Sequence, residues 1–108
     1  MTIEKWLLEA GLLVKNQKTI DLRQFTKARS YKAIIASDLD DYNLLIIFRD
    51  AKSRLLKSEV LKIFELADMI CQNENIKFKY KWLFYNSQIC SKAKEELKEA
   101  KWKSNAAL

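Results

Sequence analysis

The chain has 108 residues, with 20 Lys and Arg against 14 Asp and Glu, a formal net charge of +6 and no histidine. That length supports one domain with a real core, and 49% hydrophobic with 31% charged residues is a globular rather than a disordered composition. The missing histidine excludes Ser-His-Asp chemistry, a histidine general base and histidine metal ligands, so a metal here would be a hard cation on oxygen ligands, Mg²⁺ foremost.

Residues 2 to 14 read as a helix, since Ile3, Trp6, Leu7, Ala10, Leu13 and Val14 recur at helical spacing and Thr2 can cap the first turn. Residues 18 to 25 fit either a short strand or a turn of helix. Tyr31 to Ser37 and Tyr42 to Asp50 are strand-like, and Asp38-Leu39-Asp40-Asp41 between them suits a hairpin turn. Ser58 to Gln72 is the clearest helix: Val60, Ile63, Phe64, Ala67, Ile70 and Cys71 make one apolar stripe, with Ser58 as cap and Glu59 at the positive end of the dipole. Ile76 to Tyr85 returns to a strand pattern, and Ile89 to Trp102 is a second amphipathic helix. The unit from Leu44 through the Ser58 helix to Phe84 is a strand-helix-strand crossover, expected to be parallel and right-handed. Residues 1–103 make one domain, with 104–108 as a frayed tail.

No apolar stretch approaches the ~20 residues of a membrane helix, and Met1 to Trp6 lacks the layout of a signal peptide. A cytoplasmic protein without a membrane role is the expectation. Cys71 and Cys90 form no Cys-x-x-Cys and read as free thiols in a reducing compartment. The positive balance is compatible with a polyanionic partner without requiring one.

Two segments carry chemistry. In Leu44-Leu45-Ile46-Ile47-Phe48-Arg49-Asp50-Ala51-Lys52 an apolar strand ends in a carboxylate and an amine two residues apart. If the strand persists through Lys52, its period of two puts both groups on one face. A carboxylate can hold a cation there while the lysine polarises an attacking water or a phosphate; the plain alternative is a strand ending in a charged turn. In Ile76-Lys77-Phe78-Lys79-Tyr80-Lys81-Trp82 aromatic and aliphatic residues alternate with lysines. Read as a surface, Lys77, Lys79 and Lys81 meet phosphates and the aromatics stack on bases. Read as structure, the aromatic face is core and the lysine face is solvated and guards a sheet edge.

The order of elements, with Asp50-Ala51-Lys52 ending the third strand, resembles the minimal core of the PD-(D/E)xK nuclease superfamily, the fold of many restriction endonucleases, Mrr-type enzymes and archaeal Holliday-junction resolvases. Ile3 to Asn16 looks like that family's first helix, Ile46 to Arg54 like its catalytic strand, and Phe84 to Glu96 like the Mrr-type segment in which a strand ends in Thr-Asn-Ser-like residues before the last helix. The resemblance implies an α/β, three-layer α-β-α restriction-endonuclease-like core with a small mixed sheet of about four strands, in the order α-β-β-β-α-β-α. It implies Asp50 as a metal-binding carboxylate, Lys52 as the catalytic lysine, Glu4 or Glu9 as further metal candidates, and Mg²⁺ as the cofactor; Asp21 serves only if residues 18 to 25 form a neighbouring strand in suitable register. Ser53 and Arg54, beside the motif, join Lys77, Lys79 and Lys81 as candidate nucleic-acid contacts.

The chain departs from the family at one decisive point. The second aspartate, expected on the second strand, falls on Ala33, which cannot bind a cation. Asp38, Asp40 and Asp41 lie at the hairpin turn, roughly 30 Å from Asp50 at ~3.3 Å per residue. A hairpin closing at Leu39-Asp40 sets Arg29, Ser30 and Tyr31 opposite Asp50, and none of them is acidic. Three functions follow as expectations. The first is a nuclease-fold nucleic-acid-binding protein with an incomplete metal site and weak or absent catalysis. The second is an active Mg²⁺-dependent DNA endonuclease or resolvase, dimeric so as to grip a duplex. The third is a small α+β module with a protein partner.

Overall fold

The computed structural model describes residues 3–106, with side chains from Lys5 onward. Its elements are α1 (Ile3–Glu9), β1 (Lys15–Ile20), a 3₁₀ turn (Leu22–Gln24), β2 (Tyr31–Ser37), β3 (Asn43–Arg49), α2 (Lys57–Glu74), β4 (Tyr80–Tyr85), α3 (Ser91–Glu99) and β5 (Lys103–Ala106). One mixed sheet runs β1-β2-β3-β4-β5. The β1–β2 and β2–β3 pairs are antiparallel, and β3–β4 and β4–β5 are parallel, each parallel pair joined through a helix.

β3 is central, and its run from Leu44 to Arg49 is buried on both faces, as a strand covered on both sides must be. Its alternation sorts the core into two layers. Leu45 and Ile47 join Ala33, Ile35, Leu83 and the α2 and α3 residues Val60, Ile63, Ile70, Ala93 and Leu97. Leu44, Ile46 and Phe48 join Ile34, Phe84 and the α1 residues Trp6 and Leu7. This is the three-layer α/β architecture expected, with five strands in place of about four.

The boundaries differ where the sequence is polar or loosely punctuated. α1 stops at Glu9 because Gly11 takes a left-handed φ of +69°, which ends the helix in a turn, while Leu12 and Val14 still pack on the α1-side core without being helical. Thr2, the expected cap, lies outside the described residues. The hairpin closes as expected: Asp38 Oδ1 accepts from the Asp40 and Tyr42 N–H groups at 2.9 and 3.0 Å, and Asp41 sits at φ +66°. α2 begins at Lys57 after Leu56, so Ser58 lies inside the helix rather than capping it. Residues 104–106, expected at the start of a frayed tail, belong with Lys103 to β5, in register with Trp82–Tyr85. Among the described residues no helix is long and apolar enough to cross a membrane.

Candidate functional site at the end of the central strands

At the C-terminal end of β3 the strand stops at Arg49, so the two-residue period no longer holds Lys52 on the face of Asp50. Asp50 lies one residue past the strand, exposed. Its N–H donates to the Ser30 carbonyl at 2.8 Å, and its Oδ1 accepts from Asn86 Nδ2 at 2.7 Å. The same Asn86, one residue past β4, accepts the Ala51 N–H at 3.2 Å, so one amide clamps the Asp50–Ala51 turn. Lys52, Ser53 and Arg54 follow, all exposed. The loop is held beyond them by Leu55, whose N–H donates to the Gln88 carbonyl at 2.8 Å and whose carbonyl accepts the Cys90 N–H at 3.0 Å.

The register across β2 and β3 decides what faces Asp50. Tyr31 pairs with Arg49, and the Ser30 carbonyl meets Asp50, so this end of the pair carries one carboxylate. Ala33, where the resemblance sets the second aspartate, pairs with Ile47 and is buried on the α2 side. The other acids do not complete a cluster. Asp21 follows β1, with β2 between it and β3, so about two strand spacings (~10 Å) separate it from the line of Asp50. It also accepts from Arg23 Nη2 at 2.9 Å, and that hydrogen-bonded guanidinium holds its carboxyl down to about 2. Glu9 is exposed at the end of α1 and bonds nothing in the Asp50 turn, and the Glu4 side chain lies outside the described residues. Among the described residues no three acids or cysteines are grouped to hold a metal. Asp50 brings one carboxylate, its Oδ1 bonded to Asn86, the least of the one or two that Mg²⁺ takes together with phosphate.

Arg49, not among the residues expected from sequence, is the most heavily bonded side chain here. It is 1% exposed and its Nε and Nη2 donate to the two carboxylate oxygens of Glu59 on α2, at 2.5 and 3.1 Å. Nη1 donates to the Ser53 carbonyl at 3.0 Å and to Ser87 Oγ at 2.8 Å, and Nη2 to Ser53 Oγ at 3.0 Å. Tyr31 donates its hydroxyl proton to the same Glu59 at 2.5 Å. Burial works to raise the Glu59 carboxyl, but the hydrogen bonds from Arg49 and Tyr31 outweigh it and the net displacement is downward. Burial and the Glu59 charge push the Tyr31 hydroxyl up, so it stays a donor. This network ties β2, β3, α2 and the loops after β3 and β4 into one rigid end. One signal was available: a single arginine closing an otherwise apolar strand has to find an acid when buried.

Cations gather at the same end of the sheet. Arg23, Lys27, Arg29 and Lys32, all exposed, line one cleft of about 920 Å³ between the 3₁₀ turn and the start of β2. Lys52 and Arg54 lie just past the neighbouring strand. Lys77, Lys79 and Lys81 are elsewhere. The Lys79 N–H donates to the Asn43 carbonyl at 2.8 Å, at the opposite end of β3, about 20 Å from Asp50 by strand rise. β4 starts only at Tyr80, so the expected single aromatic face divides: Ile76 and Phe78 pack against the α2-side core, Tyr80 and Trp82 against the α1-side core.

No protein-family model matches the chain, and no curated protein matches it. Among solved structures, EndoMS in its apo form is similar, with 19% sequence identity and a TM-score of 0.51 over 95% of this chain and 43% of that one. This chain therefore spans less than half the length of that neighbour. The likeness concerns the fold alone, a mixed sheet flanked by helices.

Proposed function

We propose that this chain is a nuclease-fold module that binds nucleic acid through the end of its sheet without cleaving it. The reading is carried by Asp50: across the β2–β3 pair it faces the Ser30 carbonyl and no second acid. Lys52 follows two residues on, but an amine without a bound cation cannot supply the Lewis acid that metal-assisted phosphodiester cleavage uses. Binding needs less than catalysis. Arg23, Lys27, Arg29, Lys32, Lys52 and Arg54 can each meet a phosphate, and the net charge of +6 draws a polyanion toward them. The rigid Arg49–Glu59 network then serves to hold the loops that present Ser53 and Arg54.

The test is a salt titration of duplex DNA binding by fluorescence anisotropy. Six phosphate contacts correspond to a slope of about −5 in log K against log salt. Arg29→Gln and Lys52→Gln are each expected to reduce that slope by about 0.9. Absence of binding at low salt would refute the proposal and leave a protein partner as the reading.

A further inference from the structure

We propose that Tyr42, Tyr80 and Trp82, with Lys79 and Lys103, form a second site that binds single-stranded nucleic acid on the α1-side face of the sheet. The late start of β4 brings aromatics and lysines together there. Register puts Lys103 of β5 beside Trp82 on the same face, and its Nζ lies 4.8 Å from the Tyr80 ring centroid and 5.6 Å from that of Trp82. Lys79 Nζ lies 5.3 Å from the Tyr42 ring centroid. Tyr42 meets Tyr80 edge-on at 6.4 Å, and Lys103 lies between the Tyr80 and Trp82 rings, so the three aromatics and two lysines form one patch from the start of β3 across β4 to β5.

The patch is not closed core. Tyr42 is 47% exposed, Tyr80 and Trp82 are half-buried, and both lysines are exposed. Among the described side chains of α1, Trp6 and Leu7 are the buried ones on this side. Two hairpin acids are engaged elsewhere: Asp41 pairs with Lys15 at 2.5 Å, and Asp38 accepts from its own turn. Two cations over aromatic rings suit a ligand that is itself anionic and planar in alternation. Nucleobases stack on such rings more strongly than an exposed ammonium does, and the flexible lysine stems can swing from the rings to the phosphates. A duplex hides its base faces and cannot use the platform. The site lies at the end of the strands away from Asp50, so it stands or falls independently of the sheet-end reading.

The experiment measures binding of the full chain to a labelled twelve-residue oligothymidylate and, in parallel, to duplex DNA. Tyr42→Ala changes no charge and removes an exposed ring, so it is expected to weaken single-strand binding about 5- to 150-fold while leaving duplex binding unchanged. Tyr42→Phe is expected to bind as the parent does, and Lys103→Gln to lower the salt slope for the single strand by about 0.7. Trp6 and Trp102 are buried, so quenching of intrinsic fluorescence by the oligonucleotide reports on Trp82. Failure of the parent chain to bind the oligonucleotide, an unchanged affinity in Tyr42→Ala, or an equal loss in Tyr42→Phe would each overturn the proposal.

Discussion

Removing the acid that faces buried Arg49 tests how far the sheet end depends on that pair. In Glu59→Ala the guanidinium keeps the Ser53 carbonyl, Ser53 Oγ and Ser87 Oγ but loses both carboxylate bonds, and Tyr31 loses its acceptor. Breaking a buried ion pair on one side costs about 3–5 kcal/mol. The Glu59 side chain is 28% exposed, and water can replace part of what is lost, so about 2–3 kcal/mol is expected at pH 7. For a domain whose total stability is of order 5–15 kcal/mol, that loss is large. Urea unfolding followed by circular dichroism measures it. Arg49→Met with Glu59→Leu, which removes both charges, is expected to lose less than Glu59→Ala alone, because no bare guanidinium remains buried. The pH dependence supplies an independent check. The folded pKa of Glu59 lies below its ordinary value of 4.5, so on acidification the unfolded chain takes up this proton first. The contribution is therefore complete above about pH 4.5 and is lost as pH falls through the lower folded value. Parent and Glu59→Gln are expected to differ by a constant amount near neutrality and to converge in acid. A Glu59→Ala midpoint equal to that of the parent, or a gap that does not close in acid, would refute the reasoning.

Asn86→Ala removes the clamp on Asp50 and Ala51 and is expected to cost about 1 kcal/mol and to speed amide exchange at Ala51, measured by NMR. Asp38→Ala takes the acceptor from two hairpin N–H groups, for a loss of about 1 kcal/mol in urea unfolding. Ile47→Ala, fully buried at the centre of β3, is expected to cost about 2–5 kcal/mol by the same assay, well above either turn variant.

The parts of the fold legible in the sequence are those where burial imposes a period. α2 declares itself through Val60, Ile63, Ala67 and Ile70, and β3 through an unbroken apolar run. β1 and β5 lie at the two edges of the sheet, and their residues are almost all exposed, so Lys15-Asn16-Gln17-Lys18-Thr19 and Lys103-Ser104-Asn105 carry no alternation to read. Ile76 and Phe78 mimic strand alternation while packing into the other core layer, so the strand expected from Ile76 begins at Tyr80. At the candidate site, the absence of an acid opposite Asp50 followed from hairpin arithmetic, since the turn residues fixed the register. The Arg49–Glu59 pair did not, because an ion pair between a strand end and a helix ten positions later has no local spacing to betray it. Asn86 and Ser87 fall within the family-like segment Phe84 to Glu96, yet their partners, Asp50 and Arg49, are set by the parallel register of β3 and β4.

The central proposal is that this chain binds nucleic acid without cleaving it, and cleavage of supercoiled and branched DNA in Mg²⁺ or Mn²⁺ addresses it most directly. The account expects no metal-dependent nicking by the parent chain above that of Asp50→Ala or Lys52→Ala. Nicking that requires the metal and disappears in both variants would contradict it.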